Sequence, residues 1–265
     1  MKKTILYSLL ALCLPLASIT GARSQQALFL TQGNITFERT INILALLKEQ
    51  AKEDNVWSAK ILEAFEKSNN DKTAKAGFNL AFNGQKSLYT PLPNESAKQN
   101  PLSYLLQAGG DNTVYSDLDS AQSVSFKNVY DQSFIVKDSL RQIRWKITDE
   151  TRTIAGFQCR RANAIVMDSI YVVAFYTDMI PTSTGPESFT GLPGMILGLA
   201  LPHKHVTWFA TKVSVNPEVA ASSIVPPTGK RRTETVTRKS LFEKLNSRLK
   251  DWGDQGNMIM QNALL

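Results

Sequence analysis

Residues 185–201 read Gly185-Pro186-Glu187-Ser188-Phe189-Thr190-Gly191-Leu192-Pro193-Gly194-Met195-Ile196-Leu197-Gly198-Leu199-Ala200-Leu201. The first half is rich in chain breakers and the second half has no charge. Proline presets φ near roughly −65° and glycine tolerates positive φ, so Leu192-Pro193-Gly194-Met195 suits a type II turn. Gly185-Pro186 is a second break just upstream. The run from Met195 to Leu201 is apolar or small throughout, the pattern of a strand covered on both faces. Gly198 inside it predicts a bulge, a bound ligand or the close approach of another backbone. The stretch carries no evident nucleophile or metal ligand, so its function is expected to be through shape. Phe189, Leu192, Pro193 and Gly194, with Trp208 further on, are the candidate surface for a ligand or partner, either displayed or closing the mouth of a cavity.

Outward from this corner the chain is mostly β. Period-2 alternation marks strands at 34–41, 76–83 and 85–89, then short segments at 112–116, 123–129, 133–137 and 142–148. Two longer strands at 156–166 and 170–177 lead into the corner, and another follows it at 205–213. Turn residues separate these segments, which indicates an antiparallel meander rather than βαβ units. The clear helical region is 43–67, where Ile43, Leu44, Leu47, Ala51, Ile61, Leu62 and Phe65 recur at three- and four-residue spacing, with a break at Asp54-Asn55. Residues 91–101 hold three prolines and read as a loop, and 102–110 is a short apolar segment. A C-terminal helix over 237–252 places Leu241, Phe242, Leu245, Leu249 and Trp252 on one face, and 253–265 is expected to be a loose tail or to pack only through Met258 and Ile259. The predicted architecture is one α+β domain over 25–252. Its core is a large antiparallel sheet shaped as an open half-barrel, with the 43–67 helix across the concave face.

The chain has 265 residues, 43% hydrophobic and 20% charged, an ordinary globular balance. Lys2-Lys3 followed by an apolar run from Ile5 to Leu16 reads as a signal peptide, with Ala22-Arg23-Ser24 as the cleavage site and 1–24 removed. That removes three of the basic residues behind the net charge of +7 and leaves about +4, a mild excess that argues against nucleic-acid binding. The remaining chain has no long apolar run, so no transmembrane segment is expected. Cleavage also removes Cys13 and leaves Cys159 alone, without an internal disulfide partner. Cys159 alternates with Phe157 on one strand face and reads as a buried small hydrophobe, with a reactive thiol as the other possibility.

Several spaced stretches carry a resemblance. They are 145–151 (Trp145-Lys146-Ile147-Thr148-Asp149-Glu150-Thr151), 154–162, 175–181 (Phe175-Tyr176-Thr177-Asp178-Met179-Ile180-Pro181), Gly185-Pro186-Glu187-Ser188-Phe189 and Gly191-Leu192-Pro193-Gly194-Met195-Ile196. In this order the set resembles the GLPGLI family of exported bacterial proteins, with Met195 where the name has Leu. The resemblance implies an exported protein of the Gram-negative envelope, periplasmic or secreted. It implies no reaction and carries over no catalytic residue or cofactor.

Constellations for chemistry are sparse. His203 and His205 would share a strand face and are weak metal candidates, since no third ligand stands nearby in sequence. Hydrolase, zincin and nucleotide-loop motifs are absent. A Cys159–His205 nucleophile pair and an Asp149-Glu150 dyad have no support beyond residue type. Lys230-Arg231-Arg232 with Arg238, Lys239 and Lys244 form a basic C-terminal region suited to a solvated face, anionic headgroups or an acidic partner. Phe78, Phe82, Phe126, Tyr171, Phe175, Trp208 and Phe209 read as core, although a half-barrel lined by them would hold an apolar ligand. The leading expectation is a non-catalytic binding or carrier protein for an apolar, lipid-like ligand or an outer-membrane partner. An enzyme of another type and a structural interaction module are the alternatives.

Overall fold

The computed structural model describes residues 29–52, 56–69, 71–93, 111–129, 131–215, 221–229 and 231–265. The signal peptide expected at 1–24 and the apolar segment at 102–110 lie outside these residues. The described strands form a single open sheet of twelve in an α+β fold shaped like a half-barrel. Strand β1 (Gln32–Asn42) stands at its middle. On one side runs a meander of β2 (Thr73–Asn83), β3 (Lys86–Pro91), β4 (Thr113–Asp117), β5 (Gln122–Val129) and β6 (Gln132–Ser139). On the other side β11 (Val206–Ser214), β10 (Met195–Leu201), β9 (Ile170–Thr177), β8 (Phe157–Val166) and β7 (Lys146–Ile154) follow in reverse. All of these pairs are antiparallel; the short β12 (Glu234–Val236) joins β6 in parallel. β12 and β7 are the two edges, so the sheet does not close.

The two sides of β1 bury their residues differently. On β1 and β2 alternate residues are buried, with Ile35, Phe37, Phe78, Leu80 and Phe82 fully inside. β9 and β10 are buried on both faces, as the uncharged sequence of β10 requires. Gly198 sits at a register shift between β10 and β9. A Cβ there would come within 2.8 Å of Ile154 Cδ1 and of Phe209 Cε1. The glycine therefore leaves the room that Ile154, at the end of edge strand β7, fills. Arg152 lies over the Phe209 ring at 4.8 Å beside it.

The helical region is split as the Asp54-Asn55 break predicts, into α1 (Ile43–Ala51) and α2 (Val56–Lys67). Asn42 caps α1, its side chain accepting the Ala45 N–H at 3.0 Å. Ile43, Leu47 and Phe65 rest on Ile41 and Ala74 with Val206 beside them, at one end of β1, β2 and β11. These side chains leave the concave face to another segment. Near the C-terminus, α3 (Arg238–Leu249) is capped by Thr237 and buries Leu241, Leu245 and Leu249. Their four-residue spacing draws a stripe that packs on Phe134 and Val136 of β6. Phe242 is one residue off that stripe, and Trp252 lies beyond the helix in a 3-10 turn. Both were expected on the buried face and both are exposed, at 42% and 50%. The tail is not loose but α4 (Gly253–Leu264), packed through Ile259 as the alternative reading expected and through Ala263 and Leu264 as well. Ile259, Ala263 and Leu264 join the α3–β6 cluster, and Leu265 enters the main core. No described helix is long and apolar enough to cross a membrane.

Candidate functional site

Residues 178–194, between β9 and β10, lie in the concavity as a strap. Their hydrogen bonds reach both sides of the half-barrel. Leu30 N donates to Met179 O at 2.9 Å, Thr182 Oγ1 donates to Gly84 O at 2.7 Å, and Trp145 Nε1 donates to Thr190 O at 2.9 Å. Met195 N and Ile196 N donate back to Ile180 O and Thr184 O at 2.9 and 2.8 Å. Ile180, Phe189 and Leu192 are almost wholly buried.

The turn that ends the strap is tighter than a type II turn. Gly194 N donates to Leu192 O at 2.7 Å, closing three residues instead of four, while the Met195 N–H that a type II turn would use is taken by Ile180. Gly194 has φ +141°, and a Cβ there would lie 2.1 Å from Thr177 O. The position therefore admits only glycine.

Beneath the strap, the inner face of β3, β4 and β5 carries a row of polar side chains. Alternation on β5 points Ser123, Ser125 and Lys127 inward, all three buried. Ser116 of β4 pairs with Ser123, and Ser87 of β3 pairs with Ser116, extending the row. Nearer β1, the Phe78 and Tyr89 rings stack at 4.9 Å, with Arg39 over Phe78 at 5.0 Å. Arg39 also reaches Asp111 at 3.9 Å. The strap supplies Glu187, which is 5% exposed, has φ +55°, and accepts a hydrogen bond from Asn112 Nδ2 at 2.8 Å.

These groups shift one another. Burial raises the Glu187 carboxyl above its ordinary value, against the pull of the Lys127 charge, the Asn112 bond and Arg39. Burial pushes the Lys127 ammonium down to about 8, with Glu187 opposing. Burial, reinforced by Glu187, also holds the Tyr89 phenol well above its usual value. Tyr89 Oη and Trp208 Nε1 form no well-aligned hydrogen bond among the described residues. The indole N–H is nonetheless near enough to favour the phenolate slightly.

The residues singled out from sequence are placed as follows. Phe189 and Leu192 are 1% exposed, so they fill the concavity and are not displayed. Trp208 is core at 5% exposed and Gly194 is buried, which leaves Pro193 as the exposed member of the set. His203 and His205 do not share a strand face. Pro202–Lys204 is a 3-10 turn closed by His205 in the left-handed region, and His205 Nε2 lies 2.7 Å from Glu49 Oε2. Cys159 is fully buried in the main core, and burial pushes its thiol up to about 12, which makes it a poor nucleophile. Polar side chains converge instead on Arg39, Asn112, Lys127 and Glu187. An acid and a base of shifted pKa are present in that cluster, but the cavity beside them is about 20 Å³, room for a guest of water's size.

Sequence reasoning passed over Glu187 because a carboxylate among turn residues usually faces water. The Ser123-Val124-Ser125-Phe126-Lys127 alternation was a usable signal for β5, but its apolar side is the one normally assigned to the core. Here both faces are covered. Val124 packs outside with Tyr115, Ile135 and Ile224, while the serines and Lys127 lie under the strap.

A family model described as a protein of unknown function (Porph_ging) matches residues 164–198. No curated protein sequence matches the chain. Among solved structures, the chain is similar to that of PNGF-II in a C2 crystal form, at 16% identity and TM-score 0.47, over 77% of this chain and 30% of that one. For PNGF-II in a P21 form the values are 14% identity and TM-score 0.46, over 79% and 32%. The chain thus spans about a third of the length of those structures.

Proposed function

We propose that this chain is an exported, non-catalytic interaction module of the bacterial envelope, a member of the GLPGLI group, that engages an outer-membrane protein partner through its outer surface. The observation that carries the reading is the filled concavity. Ile180, Phe189 and Leu192 occupy the space in which a half-barrel carrier would hold a lipid, and the adjoining cavity is only about 20 Å³. A carrier of apolar ligands needs a pocket more than ten times that size, of order 300 Å³ or more. The spaced motifs at 145–196 support the family and, through it, export; the family-model match at 164–198 is compatible with both.

The docking surface we assign is the outer side of α3 and the turn after it. Phe242 and Trp252 are exposed on this stretch, whose exposed charges are Lys239, Arg248 and Lys250 against Glu243 and Asp251, with Lys239 4.0 Å from Glu243. Two exposed aromatics among charges of both signs suit a protein surface with matching polar and apolar contacts. The test is native mass spectrometry of protein purified from the periplasm, with and without organic extraction. The reading expects a defined protein complex that is lost in the Phe242→Ser/Trp252→Ser double variant, and no extractable mass. A co-purifying lipid removed by extraction overturns it.

A further inference from the structure

The last turn of α4 meets the strap inside the half-barrel. Leu265 lies in the main core with Phe189 and Leu192, while Ile259, Ala263 and Leu264 lie in the α3–β6 cluster, so the tail joins the two. Arg141, between β6 and β7, donates through Nε to Ser188 Oγ at 3.3 Å and through Nη2 to Leu264 O at 2.5 Å. Ser188 Oγ donates in turn to Leu265 O. These four residues line one side of the small cavity whose other lining includes Ser123, Ser125 and Lys127.

The strap is not held evenly along its length. Near its ends Met179 O, Ile180 O and Thr184 O accept the backbone N–H groups of Leu30, Met195 and Ile196. Over 185–190, no backbone-to-backbone hydrogen bond leaves the strap among the described residues. The Phe189 N–H reaches only Pro186 O at 3.3 Å, and the next amide, Gly191, reaches Ser183 O at 3.4 Å, both long. Side chains hold this piece instead: Glu187 on Asn112, Trp145 on Thr190 O, Phe189 in the core and Ser188 under the tail.

We propose that the last turn of α4 is a latch on residues 185–190 of the strap. Leu264 and Leu265, clasped by Arg141 and Ser188, keep that piece closed over Ser123, Ser125 and Lys127, and release of one frees the other while the ends of the strap stay in the core. Lys127 Nζ has no hydrogen-bond partner among the described residues. The closed form therefore stores a set of donors that only the unlatched form presents to solvent. The latch depends on contacts inside the half-barrel and not on Phe242 or Trp252, so it and the α3 docking surface fail separately.

Native-state hydrogen exchange of the full chain tests the latch from both sides, because coupling between two sites is reciprocal. Ser188→Ala changes the strap and is read at the Leu265 amide, which bonds to Gln261 O at 3.1 Å. Leu264→Ala changes the tail and is read at the Phe189 and Gly191 amides. In each case the distant reporter is expected to exchange about 10–100-fold faster, beyond any change at the β9 amides, and Arg141→Met is expected to accelerate both reporters. In the wild type, with no substitution made, Leu265, Phe189 and Gly191 are expected to share one opening free energy. A distant reporter that does not move, or a common acceleration of every amide including those of β9, overturns the latch. So does a wild-type Leu265 amide that exchanges freely while Phe189 stays protected.

Discussion

The two wings flanking β1 solve the same problem with opposite materials. At the centre of the β8–β11 wing, β9 and β10 are apolar and buried on both faces, with Gly198 cut to fit Ile154 and Phe209. The β2–β6 wing keeps Phe78, Leu80 and Phe82 on β2 but turns serines, Lys127 and Tyr89 inward from β3 to β5, where the strap residue Glu187 opposes the burial of the Lys127 charge. Apolar packing tolerates no spare volume, whereas a polar interior tolerates no missing partner. The first wing should therefore fail by steric insult and the second by loss of a hydrogen bond or charge.

The largest effect is expected where the strap enters the apolar wing. Gly194→Val drives a side chain into Thr177 O and forces a branched residue to φ +141°. A loss of about 4 kcal/mol or more is expected, read as insoluble protein or a collapsed urea midpoint. Soluble Gly194→Val with wild-type melting would break the comparison. Gly198→Val overpacks the gap that Ile154 fills, costing about 1–3 kcal/mol in the same assay. In the polar wing, Asn112→Ala removes the hydrogen bond to Glu187 and leaves a buried carboxylate short of a donor, for about 1–3 kcal/mol.

A pH series sharpens the contrast. Lys127 has a folded pKa of about 8 against an ordinary 10.5. Between those values the unfolded chain binds the proton more tightly, so this residue makes stability rise as pH goes from about 8 towards 10. Below about 8 the lysine is charged in both states and its cost is constant. Urea midpoints of wild type and Lys127→Met across that window should diverge in slope; parallel curves would mean that Lys127 is not buried as a charge. The smallest effect is on the outer surface, where Phe242→Ser should change stability by no more than about 0.5 kcal/mol while removing partner binding.

Most of the β architecture was legible because period-2 alternation and turn residues survive in the sequence of nearly every strand. The 170–177 strand coincides with β9, and α1 ends at Ala51 and α2 starts at Val56, on either side of the expected break, whose residues Asp54 and Asn55 lie outside the described ones. What escaped detection depends on tertiary cover. Gly253–Leu264 has a thin apolar stripe that becomes core only when β6 and α3 are there to receive it. β12 is three residues long and exists through its pairing with Phe134–Val136. His203 and His205 read as strand neighbours because nothing local reveals that Pro202 starts a 3-10 turn. The polar cluster was hidden for the same reason. Ser125 and Lys127 are ordinary solvent-facing residues until a strap from 178–194, carrying Glu187, folds over them. That the chain turns at Pro193-Gly194 was readable, but the three-residue closure of the turn and the destination of the strap were not.

The central claim is that the strap is part of the core rather than a lid over an empty half-barrel. Native-state hydrogen exchange tests it most directly, at the amides of Met195 and Ile196, bonded to Ile180 O and Thr184 O, and at Gly194, bonded to Leu192 O. The account predicts that these exchange only with global unfolding, at the same free energy as the amides of β9. Exchange orders of magnitude faster than β9, with the strands still protected, would contradict it and show a strap that opens onto a ligand cavity.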